Sequence, residues 1–222
     1  MNIQWIPDSG WILNTFSAKD LFRLYQKECD WIIDTCRILY GLGAMPKVKG
    51  RNGNAGNVGV RDRFSVANGF IVTGSETSKE DPSINSLTLV TLVDCDGKFI
   101  CSSQDESVGM DRGNILKPST ESIVMALIFK FCPEVNFCIH YHWPIEPSLL
   151  IASVKVKYPA KSDLDWCGLT EFAKMKERKI GLKGHTNPDS DEIDGVFVFG
   201  EDPIMTLSQA IELIKKSPRT IS

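Results

Sequence analysis

The chain has 222 residues, of which 42% are hydrophobic and 24% are charged, and its formal net charge is -3. This length allows one large domain with a buried core, and the composition is that of an ordinary globular protein. A slightly acidic chain without a basic run interleaved with aromatic residues is a poor match for nucleic-acid binding. No stretch reaches the length of a membrane span, and the N-terminus lacks the pattern of a signal peptide. We therefore expect a cytoplasmic protein that binds neither nucleic acid nor membrane.

The seven cysteines are an odd number, and no two of them form a C-x-x-C pair. Free cysteine packs like a small hydrophobic residue, and disulfides are rare in the cytosol. We therefore expect most of the cysteines to be reduced core residues.

A long helix is the first predicted element. Ser17 and Asp20 are spaced as a capping box, and Gly41 ends the apolar pattern. The predicted apolar face consists of Leu21, Leu24, Tyr25, Ile32, Cys36 and Leu39.

A segment rich in glycine and asparagine follows, KGRNGNAGNVGVRDRF, and is predicted to be a loop. Such clusters usually form turns, but glycine also lets backbone N–H groups approach an anion closely. In the second interpretation Asn54, Asn57 and Arg61 would lie beside the bound anion. The segment alone does not decide between these two interpretations. Three short strands are predicted after it, at GFIVTG, LTLVTLVD and GKFICS, with a turn at DCDG.

The segment KPSTES precedes an apolar helix that is predicted from Thr120 to about Phe131. Ser119 and Thr120 therefore lie at a helix N-terminus, where unpaired N–H groups and the helix dipole bind phosphate. Glu121 lies in the first turn. Its carboxylate either complements the helix dipole or, near a phosphate and a metal, acts as a base in proton transfer.

The segment FCIHYHW contains two of the three histidines, His140 and His142. Apolar and polar residues alternate from Val135 onward, which predicts a strand, and residues two apart project from one face of a strand. The two imidazoles could then bind one metal ion, or they could be ordinary histidines with hydrogen bonds at a sheet surface. Cys138 shares this face, and we expect it to be a core residue rather than a thiolate ligand.

The remaining predicted elements are a helix in LTEFAKMKERK, a strand at GVFVFG and a closing helix in TLSQAIELIKK, with Thr206 and Gln209 as its capping box. Helices at both ends with many strands between them predict a layered α/β protein whose sheet is mixed and largely antiparallel. The chain has no repeat, low-complexity block or linker. We therefore expect residues 1–222 to form one domain.

Four motifs in this order, GNAGNVGVR, FIVTGSETSK, KPSTES and IHYH, resemble those of the class II aldolase/adducin family, which includes fuculose-phosphate aldolase and ribulose-phosphate 4-epimerase. The resemblance covers most of the chain and extends to FGEDPIMTLSQAIELI. It implies a three-layer α/β/α sandwich, usually assembled as a homotetramer with active sites between subunits.

The resemblance also implies roles for individual residues. His140 and His142 match the two strand histidines that bind zinc, and Glu121 matches the acid/base glutamate. The implied phosphate- or substrate-binding positions are Asn57, Thr73, Gly74, Ser75, Ser119 and Thr120. The match is looser at the second phosphate loop, because the family often has T-P-x-G where this chain has TGSET. Tyr158 is a candidate for the catalytic tyrosine that a neighbouring subunit contributes in this family.

The third zinc histidine of the family usually stands just before the closing strand, where this chain has Asp194 and Gly195. Either His185 is the third ligand and residues 186–193 are an acidic insertion, or Asp194 replaces the histidine. We favour His185, because IGLKGH is predicted to be a short strand that ends at a histidine and three imidazoles leave one zinc position open for substrate. The acidic insertion is either a solvated loop or a lid.

These features lead to a prediction of function. A zinc ion, or another divalent metal ion, would stabilise the enediolate of a sugar or sugar phosphate, with Glu121 as acid/base. We therefore predict a zinc-dependent lyase of the aldolase type in carbohydrate metabolism. The alternatives are a dehydratase or an epimerase with the same metal site, or a non-catalytic interaction module like the adducin head.

Overall fold

The computed structural model describes residues 18–48, 50, 52–63, 69–92, 99–102, 116, 118–119, 121–155, 171, 173–183 and 193–217. The strands are β1 (Asn57–Arg61), β2 (Phe70–Thr73), β3 (Leu87–Leu92), β4 (Phe99–Ser102), β5 (Phe137–Tyr141), β6 (Ala152–Lys155), β7 (Lys179–Lys183) and β8 (Ile193–Gly200). The long helices are α1 (Ala18–Gly41), α2 (Ser122–Phe131) and α3 (Pro203–Lys216). Among the described residues, no helix is both long enough and apolar enough to span a lipid bilayer.

The eight strands form one sheet in the order β4-β3-β2-β1-β5-β8-β7-β6. Every neighbouring pair is antiparallel except β6 and β7, which are parallel. This confirms the predicted mixed and largely antiparallel sheet. Two strands were not expected from the sequence. β1 lies in the middle of the sheet although its residues were predicted to be a loop, and β6 is the edge strand beside β7.

The sheet separates two buried clusters. On one face, α1 and α3 pack against residues of β5 and β8 that include Ile139, Tyr141, Val196 and Val198. On the other face, α2 packs against alternate residues of the same strands, which include Cys138, Phe197 and Phe199. The period-two alternation predicted for β5 is therefore present. Helices on both faces of the sheet confirm the three-layer α/β/α sandwich.

The ends and faces of two helices differ from the sequence prediction. α1 buries Tyr25 and three other residues of the predicted face, but the Leu24 side chain is 44% exposed. The backbone at Tyr25 is non-helical, with φ -128° and ψ 35°, and this kink lies directly after the exposed Leu24. α3 begins at Pro203 rather than near Thr206. Asp202 is its N-cap and accepts a hydrogen bond from the Met205 N–H.

Helix α2 lies directly on β1. A Cβ atom at Gly59 would lie 2.8 Å from Met125 Sδ, so the lack of a side chain at Gly59 lets the helix approach the strand. Arg61, at the other end of β1, donates hydrogen bonds to the carbonyl oxygens of Phe129 (2.7 Å), Cys132 (3.0 Å) and Val135 (2.7 Å). The guanidinium therefore caps the C-terminus of α2 and does not lie beside an anion in the glycine-rich loop, which corrects one of the two sequence interpretations.

Candidate metal and anion site

The candidate site lies along one edge of the sheet, where several strand ends meet. β1 begins at Asn57, next to the end of β5, because Asn57 is directly opposite His140 in the register. β2 ends at Thr73 on the other side of β1. The N-terminus of α2 reaches the same edge, since Ser119 N–H donates to Thr73 O at 3.4 Å. The antiparallel pairing thus brings together segments that are far apart in the sequence.

His140 is the most firmly held of these side chains. It is fully buried, and its Nδ1 lies 3.1 Å from Asn57 Oδ1. The Phe197 ring stacks on the imidazole with a centroid separation of 4.4 Å and an interplanar angle of 7°. Because an amide oxygen is only an acceptor, this contact places the imidazole proton on Nδ1 and leaves the lone pair on Nε2. This is the tautomer that a histidine needs in order to bind a metal through Nε2.

His142 follows β5 and is partly buried. Its ring centroid lies 5.0 Å from that of His140, with an interplanar angle of 56°. A zinc–nitrogen bond of about 2.1 Å places each ring centroid roughly 3 Å from the ion, so this separation fits two imidazoles on one ion. A backbone hydrogen bond from His142 N–H to Ala44 O at 3.0 Å fixes the position of the residue. The two histidines therefore fit a shared divalent ion.

Neither candidate for the third ligand has a described side chain. Within the described part of the chain, no three histidine, cysteine, aspartate or glutamate side chains cluster as a metal site would require. His185 lies outside the described residues, two positions after β7 ends at Lys183. Lys183 pairs with Ile193, so β7 ends beside the start of β8, at the same edge as the end of β5. Asp194 lies in β8 at the register irregularity opposite Leu182 and Lys183.

The glycine-rich loop before β1 passes close to the histidine strand. Gly56 has a φ of 84°, and a Cβ atom there would lie 2.8 Å from His140 O. Any other residue would be strained in backbone conformation and would also collide with β5. Glycine at position 56 therefore lets the loop pack directly against the backbone of His140.

In the predicted second phosphate loop, Thr73 to Ser75, the first two residues are fixed by hydrogen bonds to neighbouring segments of the protein. Thr73 is fully buried, and its Oγ1 accepts a hydrogen bond from Val58 N–H at 3.3 Å. Gly74 N–H donates to Ser86 O at 2.7 Å. Ser75 is partly buried, and its hydroxyl makes no hydrogen bond to the residues that the structure describes. Of the three, Ser75 is thus the side chain best able to contact a ligand.

Glu121 lies at the N-terminus of α2, where its carbonyl oxygen accepts the first hydrogen bonds of the helix. Its carboxylate accepts a hydrogen bond from Ser119 Oγ. The hydroxyl that was predicted to hold phosphate is therefore bonded to the predicted acid/base residue. Thr120 and Tyr158 lie outside the described residues. The roles predicted for all these residues stay predictions.

Lys79 is a buried residue that sequence reasoning missed, although it ends the quoted motif FIVTGSETSK. Its side chain is 1% exposed. Its Nζ donates to Thr77 Oγ1 at 2.6 Å and to Thr77 O at 3.3 Å. Burial lowers the pKa of Lys79, while Cys36 and Glu121 act in the opposite direction. The sequence signal that could have identified Lys79 is a lysine that follows a run of glycine, serine and threonine.

Cys138 shares the α2 face of the sheet with His140, as predicted, and is fully buried. Burial raises the pKa of its thiol well above the ordinary value. A neutral thiol is a core residue rather than a metal ligand, in agreement with the sequence expectation. Three other cysteines, Cys29, Cys36 and Cys132, are also free and buried.

Comparison with known proteins gives the class to which this chain and its fold correspond. A family model described as Class II Aldolase and Adducin N-terminal domain matches residues 32–193. This match spans more than half of the chain, and the chain therefore belongs to the class II aldolase and adducin family. A search of curated proteins finds no match to the sequence.

Solved structures with the same fold include three that cover most of this chain. L-fuculose 1-phosphate aldolase from Glaciozyma antarctica PI12 has 17% identity and a TM-score of 0.59, covering 87% of this chain and 72% of that one. YgbL from Klebsiella pneumoniae, a candidate aldolase/epimerase/decarboxylase, has 16% identity and a TM-score of 0.58 over 87% of both chains. The N-terminal class II aldolase domain of a conserved Thermoplasma acidophilum protein has 14% identity and a TM-score of 0.53, covering 98% and 97%. At these identities the likeness shows the fold alone.

Proposed function

We propose that this protein is a divalent-metal-dependent lyase of the aldolase type that acts on a sugar or sugar phosphate. The observation that supports this most directly is the contact between His140 Nδ1 and Asn57 Oδ1, because it leaves Nε2 of a buried histidine in the form that binds a metal. Membership of the class II aldolase and adducin family is consistent with this chemistry. We further propose a cytoplasmic homotetramer, as the family resemblance implies.

His140 and His142 would hold the ion, with His185 as the proposed third ligand. When bound, a divalent ion supplies positive charge that polarises the carbonyl oxygen of the substrate. The protein's own residues perform the remaining steps. Glu121 takes or returns a proton at a substrate carbon, and Ser119 holds the carboxylate in place by donating to it. Asn57 fixes the ring of His140 through its Nδ1.

The reaction can be tested by exchange of the α-proton of dihydroxyacetone phosphate with solvent deuterium, followed by NMR in the presence of Zn²⁺. Wild-type protein is expected to exchange the proton without an aldehyde partner. Glu121→Gln should bind the same ligand but exchange it about 10²-fold more slowly, because general base catalysis typically contributes that factor. Glu171→Gln, which changes an exposed glutamate, is the matched control and should exchange at the wild-type rate.

A panel of phosphorylated and free ketoses separates the alternatives. Cleavage products would identify an aldolase, whereas exchange followed by loss of water or inversion would identify a dehydratase or an epimerase. If no ketose exchanges a proton with zinc present, the protein is a non-catalytic module or acts on another substrate class.

A further inference from the structure

His142 lies beyond the hydrogen-bonded part of its strand. β5 ends at Tyr141, which forms the last pair with β8, and the pairing of β5 with β1 stops at His140. The sheet therefore fixes His140 from both sides, whereas its ladders stop short of His142. Contacts outside these ladders must set the separation of the two imidazoles, which is 5.0 Å between ring centroids.

The next residue, Trp143, is anchored to the end of helix α3. Its side chain is 8% exposed, and its Nε1–H donates a hydrogen bond to Ser217 O at 2.5 Å. Ser217 is the C-cap of α3, a position where carbonyl groups lack partners within the helix. The Ser217 hydroxyl accepts a second hydrogen bond from Glu146 N–H at 3.4 Å. Two contacts thus join the segment from Trp143 to Glu146 to one helix end.

The hydrogen-bond acceptor of this anchor is part of the packed core. Ser217 is 5% exposed, and its N–H donates to Leu213 O at 3.1 Å and to Ile214 O at 3.3 Å. Leu213 and Ile214 belong to the same buried cluster as Trp143. The position of the Ser217 carbonyl oxygen is therefore set by the packing of α3 on the sheet.

The anchor is close enough along the chain to control His142. Consecutive Cα atoms are about 3.8 Å apart, and Pro144 restricts the backbone of Trp143 to extended conformations. A buried, hydrogen-bonded indole therefore limits how far the backbone of His142 can move. On its other side, His142 N–H donates to Ala44 O at 3.0 Å. His142 is thus held between the turn after α1 and the end of α3.

We propose that Trp143 is a positioning residue, whose indole N–H holds His142 at the distance from His140 that a shared metal ion requires. This inference rests on the proposed function only in assigning a metal ion to the two histidines. Trp143 acts through His142 rather than on the ion. The end of α3 thereby supports the site, although 74 positions separate Trp143 from Ser217.

The first test is the zinc affinity of Trp143→Phe, measured by competition with a chromogenic chelator. This variant keeps an aromatic ring but lacks the N–H donor. Its zinc affinity should fall about tenfold, because residues that orient a metal ligand typically contribute at least this much.

Trp31→Phe is the matched control. Trp31 packs on Phe137 at the other end of β5, and its buried Nε1 makes no hydrogen bond to the residues that the structure describes. Its zinc affinity should stay within about twofold of the wild-type value, since the substitution removes no hydrogen bond of this kind. Both variants make an indole side chain smaller, so an effect of packing alone would appear in both.

A measurement on metal-free protein separates positioning from general stability. The nuclear Overhauser signal between the ring protons of His140 and His142 reports their separation directly. Wild type and Trp31→Phe should show this signal, and Trp143→Phe should show a weaker one. An unchanged signal in Trp143→Phe would overturn the inference, as would equal losses of zinc affinity in the two tryptophan variants.

Ser217→Ala is the second variant if Trp143→Phe does not fold, as judged by far-ultraviolet circular dichroism. It removes the hydroxyl that binds Glu146 N–H and should also weaken the Overhauser signal and zinc binding. Ser208→Ala, at an exposed position of α3, should change neither, and the same two readings from both serine variants would contradict the anchor. A wild-type protein that binds no zinc, with the Overhauser signals as expected, would refute the proposed function and support the positioning role.

Discussion

His140 Nδ1 lies 3.1 Å from Asn57 Oδ1, although 83 positions separate the two residues in the sequence. The contact exists because β1 and β5 pair with these residues directly opposite each other. Both side chains are fully buried, so water does not compete for the hydrogen bond. Asn57 can therefore act as the residue that orients His140, in addition to the phosphate-binding role predicted from the family resemblance.

Asn57→Ala should weaken zinc binding by about 10- to 100-fold. The variant lacks the hydrogen-bond acceptor that fixes the orientation and tautomer of the His140 ring, and such partners typically contribute this much to metal affinity. Competition with a chromogenic chelator measures this affinity. Asn136→Ala is the control, since Asn136 lies just before β5 and its side chain donates to Glu201 O. Equal zinc affinity in Asn57→Ala and wild type would contradict the role given to Asn57.

Two variants distinguish the candidates for the third ligand. His185→Ala should lose zinc while Asp194→Ala retains it, because imidazole is a better zinc ligand than a single carboxylate in this setting. His140→Ala, which removes a buried histidine of the pair, should also lose zinc and serves as the reference. Elemental analysis of purified protein provides the measurement, with about one zinc per chain expected for wild type. Loss of zinc in Asp194→Ala together with retention in His185→Ala would instead make Asp194 the third ligand.

Arg61→Met should lower the free energy of unfolding by roughly 2–4 kcal/mol, because three partly buried carbonyl groups lose a charged donor at the C-terminus of α2. Arg61→Lys should restore only part of this stability, since one ammonium cannot reproduce the planar set of guanidinium donors. Urea denaturation measures both. Arg37→Met removes an exposed pair with Asp34 and should change stability by less than about 0.5 kcal/mol. An effect of Arg61→Met as small as this would contradict the capping role.

Alkaline pH should destabilise the protein. Burial raises the pKa of both Cys29 and Cys36 from the ordinary value of 9.0 to about 12. Between these values the folded state keeps a proton that the unfolded state releases, so the free energy of unfolding falls as pH rises. Each thiol should contribute a slope of about 1.4 kcal/mol per pH unit from pH 9 to pH 12.

Cys36→Ala should reduce that slope by the contribution of one thiol, as measured by urea denaturation at several pH values. The buried tyrosines titrate in both proteins and cancel in the comparison. Identical slopes would show that the Cys36 thiol does not titrate differently in the folded and unfolded states.

The sequence predicted β5 well, because alternation of apolar and polar residues is typical of a strand. It did not show that both faces of this strand are buried. It missed β1 because Asn57 and Gly59 are typical of turns and unusual in strands. Ladders on both sides stabilise this strand, and the nearby helix requires a glycine. Tertiary contacts therefore overrode local propensity.

Two features of the site could not be predicted from local sequence patterns. The contact of Asn57 with His140 depends on strand register, and the burial of Lys79 depends on the packing of two loops. Arg61 was wrongly considered as an anion-binding residue because it is only four positions from Asn57. Residues four apart in a strand are about 13 Å apart, which places Arg61 at the opposite end of β1. Sequence proximity to a glycine-rich loop did not mean spatial proximity.

The pairing of β1 with β5 also bears on how the protein folds. A site whose residues come from strands 83 positions apart cannot form until that long-range pairing is complete. Loop-closure entropy makes such pairing slow relative to local helix formation. A metal ion that needs the oriented histidine would bind weakly to partly folded chains and tightly to the finished sheet. Metal uptake during refolding would therefore report when the centre of the sheet has assembled.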